Sequence, residues 1–382
     1  LEIFKRLLKS REGKMEEIKR VLCLVSAMNT GGAETFLMKI YRNLDRTRYQ
    51  MDFCVNVTEK GFYDDEIKRL GGRIFVIPSK TENIKKFKSR LSEIIWSYQY
   101  DYVFRITSNA MGFLDLKIAK ESGAKQCIAR SSNSSDGKGV KVLLAHKLGR
   151  LLYDRYVDVK IAPSELAAEY TFGKKALKQN KVTILHNGVD LKQYSYKVSN
   201  RIKFREELGI SEKTLLVGHV GRFSKQKNHE FLIEIYKTIC QKVPDSRLVL
   251  VGSGELQENI KDKVKKLNLS ESVIFMGVRA DIPTILAGMD VFVFPSFYEG
   301  MPNTVIEAQA TGLPCVVSDT ITKEADITGL VKYKSLQDSP AEWAKEAIES
   351  GNWDRKDTKK MFVQKGYDIN TVTRKFETLI FE

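Results

Sequence analysis

Proline is scarce in this chain, at 8 of 382 residues, and long apolar runs are missing altogether. The longest, such as Val21–Met28, are far shorter than the ~18 residues that a bilayer span demands, and no signal-peptide pattern opens the chain. These absences leave an ordinary globular protein, soluble or peripheral to a membrane. No cysteines stand at C-x-x-C spacing. Cys23, Cys54, Cys127, Cys240 and Cys315 are scattered, most of them inside apolar strand-like runs, and read as small core hydrophobes in a reducing, cytosolic compartment. Met15 begins a conventional "MEEIKRVLCLV", so residues 1–14 ("LEIFKRLLKSREGK") read as an expression leftover or an accessory basic helix.

What the chain has in excess is positive charge. Residues 1–200 hold 37 Lys and Arg against 22 Asp and Glu, whereas residues 201–382 hold 26 of each, so the whole net charge of +15 lies in the first half. A basic field confined to one half predicts an anionic partner there: nucleic acid, a phospholipid surface or a phosphorylated substrate. A solvated basic face without a partner has the same composition.

With 42% hydrophobic residues, 382 residues suffice for two cores, each of roughly 150–200 residues. Short β-branched runs recur at helix-length spacing. In the first half they are 21–25, 51–57, 73–77, 102–106, 125–130, 159–162 and 182–186; in the second, 215–221, 247–252, 273–277, 291–295 and 314–318. Near-continuous apolar strands are covered on both faces, and helical spacers make parallel crossovers, so the pattern predicts an α/β chain of two Rossmann-like, doubly wound domains. The N-terminal domain spans 1–190, the C-terminal domain 200–365, and a helix at 366–382 packs back toward the N-terminal one. The polar stretch "NGVDLKQYSYKVSNR" (187–201) marks the boundary. Ligands of such sheets bind outside the carboxyl ends of the strands, which predicts a cleft between two facing domains.

The loops at those strand ends carry the chemistry. In "NTGGAET" (29–35), Gly31 and Gly32 allow close approach of a ligand before a helix begins, although a Gly-Gly turn is as often structural. The loop lacks the G-x-G-x-x-G and following acid of a nicotinamide site. In "GRFSKQKNHEF" (221–231), Arg222 and Lys227 can grip a diphosphate with a fork and a point charge, or form a solvated basic loop. "GSGEL" (252–256) is another tight turn into a helix.

The densest signal is "VFVFPSFYEGMPNTVIEAQATG" (291–312): a strand, a loop with Glu299 and Gly300, and a helix starting near Pro302–Asn303 and ending at Gly312. A carboxylate such as Glu307 in an early helical turn can simply complement the dipole. Paired with Glu299 beside an anion-ready helix start, it fits a nucleotide-sugar: one carboxylate on a ribose diol, the other on a sugar ring, the diphosphate between them.

Taken in order, "GGAE" (31–34), "HNGVD" (186–190), the Arg222–Lys227 loop, "VGSGEL" (251–256) and the eight-residue spacing of Glu299 and Glu307 resemble the family 4 retaining glycosyltransferases of the two-Rossmann-domain (GT-B) type. "LVSAMNTGGAETFLMKIYRNL" and "GLPCVVSDTITKE" are similar to bacterial exopolysaccharide and capsule enzymes. The resemblance covers residues 20–382. It implies that Arg222 and Lys227 bind the donor diphosphate, Glu307 the nucleotide ribose and Glu299 the hydroxyls of the transferred sugar. Gly300, Met301, Asn303 and Thr304 would meet the phosphates, and Gly31–Gly32 would close over the donor from the other domain. Glu299, Arg222 and Lys227 are thus the catalytic candidates. Uridine is the implied base, contacted near "GVRAD" (277–281). The implied acceptor is a saccharide hydroxyl on a polyprenyl diphosphate, reached from the cytoplasmic face of the membrane.

One departure stands out. Related enzymes carry a histidine in an "HSHN"-like stretch after the fifth strand, where this chain reads "ARSSNSS" (129–135), leaving Arg130 and Asn133 as acceptor-side candidates. Its histidines lie elsewhere, at 146, 186, 219 and 229. The resemblance implies retaining transfer in which the leaving diphosphate takes the proton of the incoming hydroxyl, so catalysis is positioning plus charge stabilisation. There is no D-x-D triplet, and two cations at the phosphates can do the work of a divalent ion, so neither metal nor cofactor is expected. Lys141, Lys147, Arg150 and Arg155 alternate with Leu143, Leu144, Leu148, Leu151 and Leu152, which predicts an amphipathic helix with a cationic rim that meets anionic lipid; the alternative is that its leucines simply pack the helix on the sheet, and both hold if only the rim touches lipid. An epimerase or phosphorylase of the same fold is the alternative reading. A nucleic-acid-binding module would explain the charge but not the paired glutamates.

Overall fold

A computed structural model describes residues 18–29, 31–132 and 140–382; the stretch 1–14 and Asn133 lie outside the described residues. Two units emerge, Leu1–His186 with Val372–Glu382, and Asn187–Thr371.

In the first unit the strands are β1 (Lys19–Leu24), β2 (Tyr49–Val55), β3 (Ile74–Val76), β4 (Tyr102–Thr107), β5 (Gln126–Ser131), β6 (Val159–Ala162) and β7 (Thr183–Ile184). They form one parallel sheet in the order β3-β2-β1-β4-β5-β6-β7. The core residues Val21, Leu22, Cys23, Met51, Phe53 and Phe104 are fully buried, as expected for strands with helices on both faces. Cys23, Cys54, Cys127 and Cys315 are buried free thiols and Cys240 is half-buried. Helix starts are set locally: Ser79 and Glu82 form a reciprocal capping box ahead of the helix Lys80–Ser97. From Val372 the C-terminal helix belongs to this unit, with Phe376 edge-on to Phe104 and Phe381 stacked on Tyr49.

In the second unit β8 (Leu215–Val220), β9 (Ser246–Val251), β10 (Val273–Gly277), β11 (Val291–Phe294), β12 (Cys315–Ser318) and β13 (Val331–Lys334) form a parallel sheet in the order β10-β9-β8-β11-β12-β13. Strand β13 is missing from the sequence-based expectation. Its "VKYK" pattern alternates apolar residues with lysines because it is an edge strand, and only Val331 is buried. Trp343 in the helix Pro340–Gly351 is fully buried and donates from its indole to the Ser335 carbonyl at 2.8 Å.

Both sheets reverse their winding beside the first strand: between β1 and β4 in one, between β8 and β11 in the other. Loops diverge there and leave a crevice outside the carboxyl ends of the strands.

One expectation is overturned. The leucines of the helix Val140–Tyr153 do not pack onto the sheet: Leu143, Leu144, Leu148, Leu151 and Leu152 are all exposed.

Candidate active site

The second unit builds its crevice from glycine-dependent loop docking. Gly252 follows β9 with φ +134, and a Cβ there would collide with the Gly221 carbonyl oxygen. A Cβ on Gly254 would likewise strike the backbone of Phe223. With both side chains absent, Phe223 N–H donates to the Ser253 carbonyl at 3.1 Å and Leu256 N–H to the Phe223 carbonyl at 3.0 Å. The loop after β8 is therefore held at a fixed height over the sheet. Asn228, left-handed at φ +54, then turns the chain into the helix His229–Lys242 and donates to the Pro295 carbonyl at 3.1 Å.

That turn joins the loop after β8 to the loop after β11 across the winding reversal. Gln226 donates to the Tyr298 carbonyl at 2.8 Å and Phe297 N–H to the Gln226 carbonyl at 2.9 Å. Lys227 Nζ meets Glu299 Oε1 at 2.7 Å, with side-chain exposures of 16% and 10%, and lies 4.5 Å from the Phe294 ring centroid. Behind it, His219 and His229 are buried edge to face at 4.7 Å, and His229 stacks on Phe223 at 4.2 Å. Burial first, and Lys227 second, push His229 down to about 4. Burial, then His229, holds His219 well below the usual imidazole range. Both rings pack behind the lysine, and His219 is fixed through Nδ1 to the Val293 carbonyl at 2.9 Å.

The helix Asn303–Ala310 begins beyond Gly300 and Met301 with Pro302 at its N-cap and no side chain capping its N–H groups, which makes that end receptive to an anion. Buried Gln309 fixes the helix by donating to the Ala325 carbonyl at 2.7 Å and accepting from Ile327 N–H at 2.9 Å. Asn303 Oδ1 accepts from Asn187 at 2.7 Å, tying the helix start to the "HNGVD" segment. Glu307 is buried in the second turn, where the Tyr194 hydroxyl hydrogen-bonds to it; burial and that carboxylate raise the tyrosine well above its ordinary range. Thr304 is half-buried at the same end.

Arg222 and Lys227 do not share a partner. Arg222 is 74% exposed and reaches Glu255 at 3.4 Å, on the solvent side of the loop. In "GVRAD", Arg279 is bound to Asp281 and Glu207, both at 2.7 Å.

The first unit has its own cavity, about 370 Å³, at the β1–β4 reversal. Its walls include Ser26, Glu34, Lys80, Arg105 and Asn109. Two of these lining residues are held by Asp115, 1% exposed, which meets Lys80 Nζ at 2.5 Å and Arg105 Nε at 3.0 Å. Burial lowers the Lys80 ammonium and raises the Glu34 carboxyl. Gly31 is the N-cap of the helix Gly32–Asn43, and the Glu34 carboxylate folds back over it where a Cβ would stand. Arg130, the acceptor-side candidate, is 2% exposed and packs 3.7 Å over the Phe36 ring, and burial lowers it to about 9. Sequence reasoning missed Lys80, Arg105 and Asp115. The signal available was an arginine inside the otherwise apolar "YVFRI" strand.

Comparison with known proteins gives the family and the fold class. Residues 200–367 match the family model described as "Glycosyl transferases group 1". The chain is 33% identical over 363 residues to the protein named "Putative glycosyltransferase EpsF" of Bacillus subtilis (strain 168), covering 92% of this chain and 93% of that one. It is 31% identical over 294 residues to the UDP-Gal:alpha-D-GlcNAc-diphosphoundecaprenol alpha-1,3-galactosyltransferase of Escherichia coli, covering 71% and 72%. In fold it is similar to the crystal structure of Anabaena Alr3699/HepE in complex with UDP, with a TM-score of 0.75 and 19% identity over 95% of this chain and 99% of that one. Two doubly wound parallel sheets and a full-length relative at this identity lead to one conclusion: the chain belongs to the group 1 glycosyltransferases and is a hexosyltransferase of the GT-B fold class.

Proposed function

We propose that this glycosyltransferase moves a sugar with retention from a UDP-sugar to a hydroxyl of a saccharide carried on polyprenyl diphosphate, in cell-surface polysaccharide synthesis. The observation that carries the reading is the Lys227–Glu299 pair at the winding reversal, beside a helix end open to an anion. In this reading Lys227, Arg222 and the N–H groups from Gly300 to Thr304 hold the diphosphate, Glu299 holds hydroxyls of the sugar, and Glu307 the ribose diol. The anomeric carbon–oxygen bond to the diphosphate breaks while the acceptor oxygen bonds the same face of that carbon. The acceptor proton passes to the departing diphosphate oxygen. The cations and helix dipole stabilise the charge that develops on the leaving group, without metal or cofactor.

The cavity over Asp115 serves the acceptor in the same reading, since its mixture of cations and carboxylates suits a polyhydroxylated ligand. The name of the Escherichia coli relative, with UDP-Gal as donor and a diphosphoundecaprenol-linked acceptor, supports both the base and the lipid carrier. The +15 surplus of residues 1–200 supports a peripheral position on the cytoplasmic face of the membrane. A thermal-shift panel of UDP-, GDP- and ADP-sugars tests the donor. A ligand that binds only the folded state raises the melting temperature; a shift with GDP- or ADP-sugars and none with UDP-sugars would overturn the assignment.

A further inference from the structure

His219 is wholly enclosed in the second unit, and one of its ring nitrogens is left over. The residue lies in β8 with no exposed surface, its ring stacked on Phe294 at 5.2 Å and parallel to Phe292 at 6.0 Å. Nδ1 lies 2.9 Å from the Val293 carbonyl oxygen. A carbonyl can only accept, and burial keeps the ring uncharged at neutral pH, so the single ring proton sits on Nδ1 and Nε2 bears a lone pair. That buried lone pair has no hydrogen-bond partner among the described residues, a cost that folded proteins ordinarily avoid. His229 does not relieve it: the two rings meet edge to face at 4.7 Å, and both His229 nitrogens are themselves unpartnered.

Lys227 lies on the side to which Nε2 is turned. A Cβ on Gly221 would stand 2.8 Å from His219 Nε2 and 3.4 and 3.5 Å from Cδ and Cε of Lys227, so the imidazole nitrogen and the lysine stem border one small space that glycine keeps open. The Lys227 charge is among the causes that lower both imidazoles. Its ammonium has three N–H donors. Glu299 Oε1 takes one at 2.7 Å, and the Phe294 ring faces the group at 4.5 Å. With the lysine side chain 16% exposed, water is a poor substitute for a partner that leaves.

We propose that His219 is a positioning residue for Lys227: its Nε2 lone pair takes an ammonium N–H when Glu299 turns to the hydroxyls of the transferred sugar. In the structure the ammonium belongs to Glu299. Donor binding as proposed above, on which this inference rests, takes that carboxylate to the sugar while the lysine keeps the diphosphate. Rotation about the last carbon–carbon bond of Lys227 turns an N–H toward Nε2, and exchange of Glu299 for His219 satisfies both the buried donor and the buried lone pair. UDP alone makes no claim on Glu299, so the exchange belongs to the sugar-bearing donor. His219 touches neither sugar nor phosphate and acts through the lysine.

The test is calorimetric titration of the full chain with UDP and with the UDP-sugar that the thermal-shift panel selects. His219→Phe keeps the stacking on Phe292 and Phe294 and removes the lone pair. It should bind the UDP-sugar about tenfold more weakly than wild type does, and UDP within about twofold. In a Lys227→Met background the same change should cost nothing further, as two residues acting through one contact require. Equal weakening of both ligands, or the full cost repeated in Lys227→Met, would make His219 a packing residue and overturn the proposal. The unmutated protein supplies a second measurement should His219→Phe fail to fold. With ¹⁵N-labelled histidine, His219 should show the Nδ1–H tautomer, and its Nε2 resonance should move upfield with the UDP-sugar but hardly with UDP. A proton on Nε2, or a resonance unmoved by the UDP-sugar, would refute the exchange. If Lys227→Met binds the UDP-sugar as wild type does, the donor-site reading itself fails and takes this inference with it. If Lys227→Met binds weakly while His219→Phe binds normally, that reading stands and the inference alone falls.

Discussion

Lys227 and Glu299 are 72 residues apart in sequence, yet their side chains meet at 2.7 Å across the point where the second sheet reverses its winding. Because one comes from the loop after β8 and the other from the loop after β11, the pair reports the relative position of the two loops. In the proposed reading the lysine serves the diphosphate and the carboxylate serves the hydroxyls of the sugar.

Lys227→Met and Glu299→Gln should each lower kcat by about 10²–10³, the usual cost of removing one stabilising group aimed at developing charge. Neither should unfold the protein, although leaving one partner unpaired costs about 1–3 kcal/mol. Steady-state transfer with saturating donor, alongside circular dichroism, separates the two effects. Transfer near wild-type rates would remove both residues from the site.

Gly252→Ala is predicted to be more harmful than an alanine at an ordinary loop glycine. Its φ of +134 strains any L side chain, and the new Cβ would meet the Gly221 carbonyl. A loss of more than about 1–3 kcal/mol is expected, together with weaker donor binding, because the Gly221–Phe223 loop must lift. Donor titration of the folded variant at reduced temperature would detect the second effect; unchanged affinity would show that loop height does not matter.

The buried His229 makes stability depend on pH. Its folded value of about 4 lies below the ordinary 6.5, so the unfolded chain takes up a proton first as pH falls. The stabilisation is complete above about pH 6.5 and is lost as pH drops toward about 4, amounting to about 3 kcal/mol. His229→Phe keeps the stacking on Phe223 and removes the titration. Urea midpoints measured from pH 7 to pH 4 should fall less steeply for the variant; parallel curves would mean that other groups set the acid limit.

Transfer should persist in excess EDTA if, as proposed, Arg222 and Lys227 supply the positive charge at the phosphates. Abolition by EDTA and rescue by Mg²⁺ or Mn²⁺ would give that role to a metal ion.

Much of the architecture is legible in local pattern. Buried parallel strands such as β11 are apolar throughout because helices cover both faces, and "GSGEL" and "EGMPN" announce tight turns into helices by their glycine and proline. Strand β13 escapes because an edge strand needs only one buried face, so lysines interrupt it. Arg130 shows a related limit: a strand-end arginine gives no sign in the sequence that it packs over the Phe36 ring.

The sequence by itself determined the class of fold, the turns at the strand ends and the presence of two carboxylates near a helix start, because each depends on neighbours within a few residues. Tertiary structure alone decided that Lys227 faces Glu299, that Arg222 turns out to Glu255, that Tyr194 holds Glu307, and that Lys80 and Arg105 converge on Asp115. It also decided that the leucines of the helix Val140–Tyr153 face outward. The physical reason is common to all of these. Hydrophobic periodicity states that a helix or strand has an apolar face, but which surface covers that face, and which charges meet, depends on segments brought together by the order of strands in a sheet.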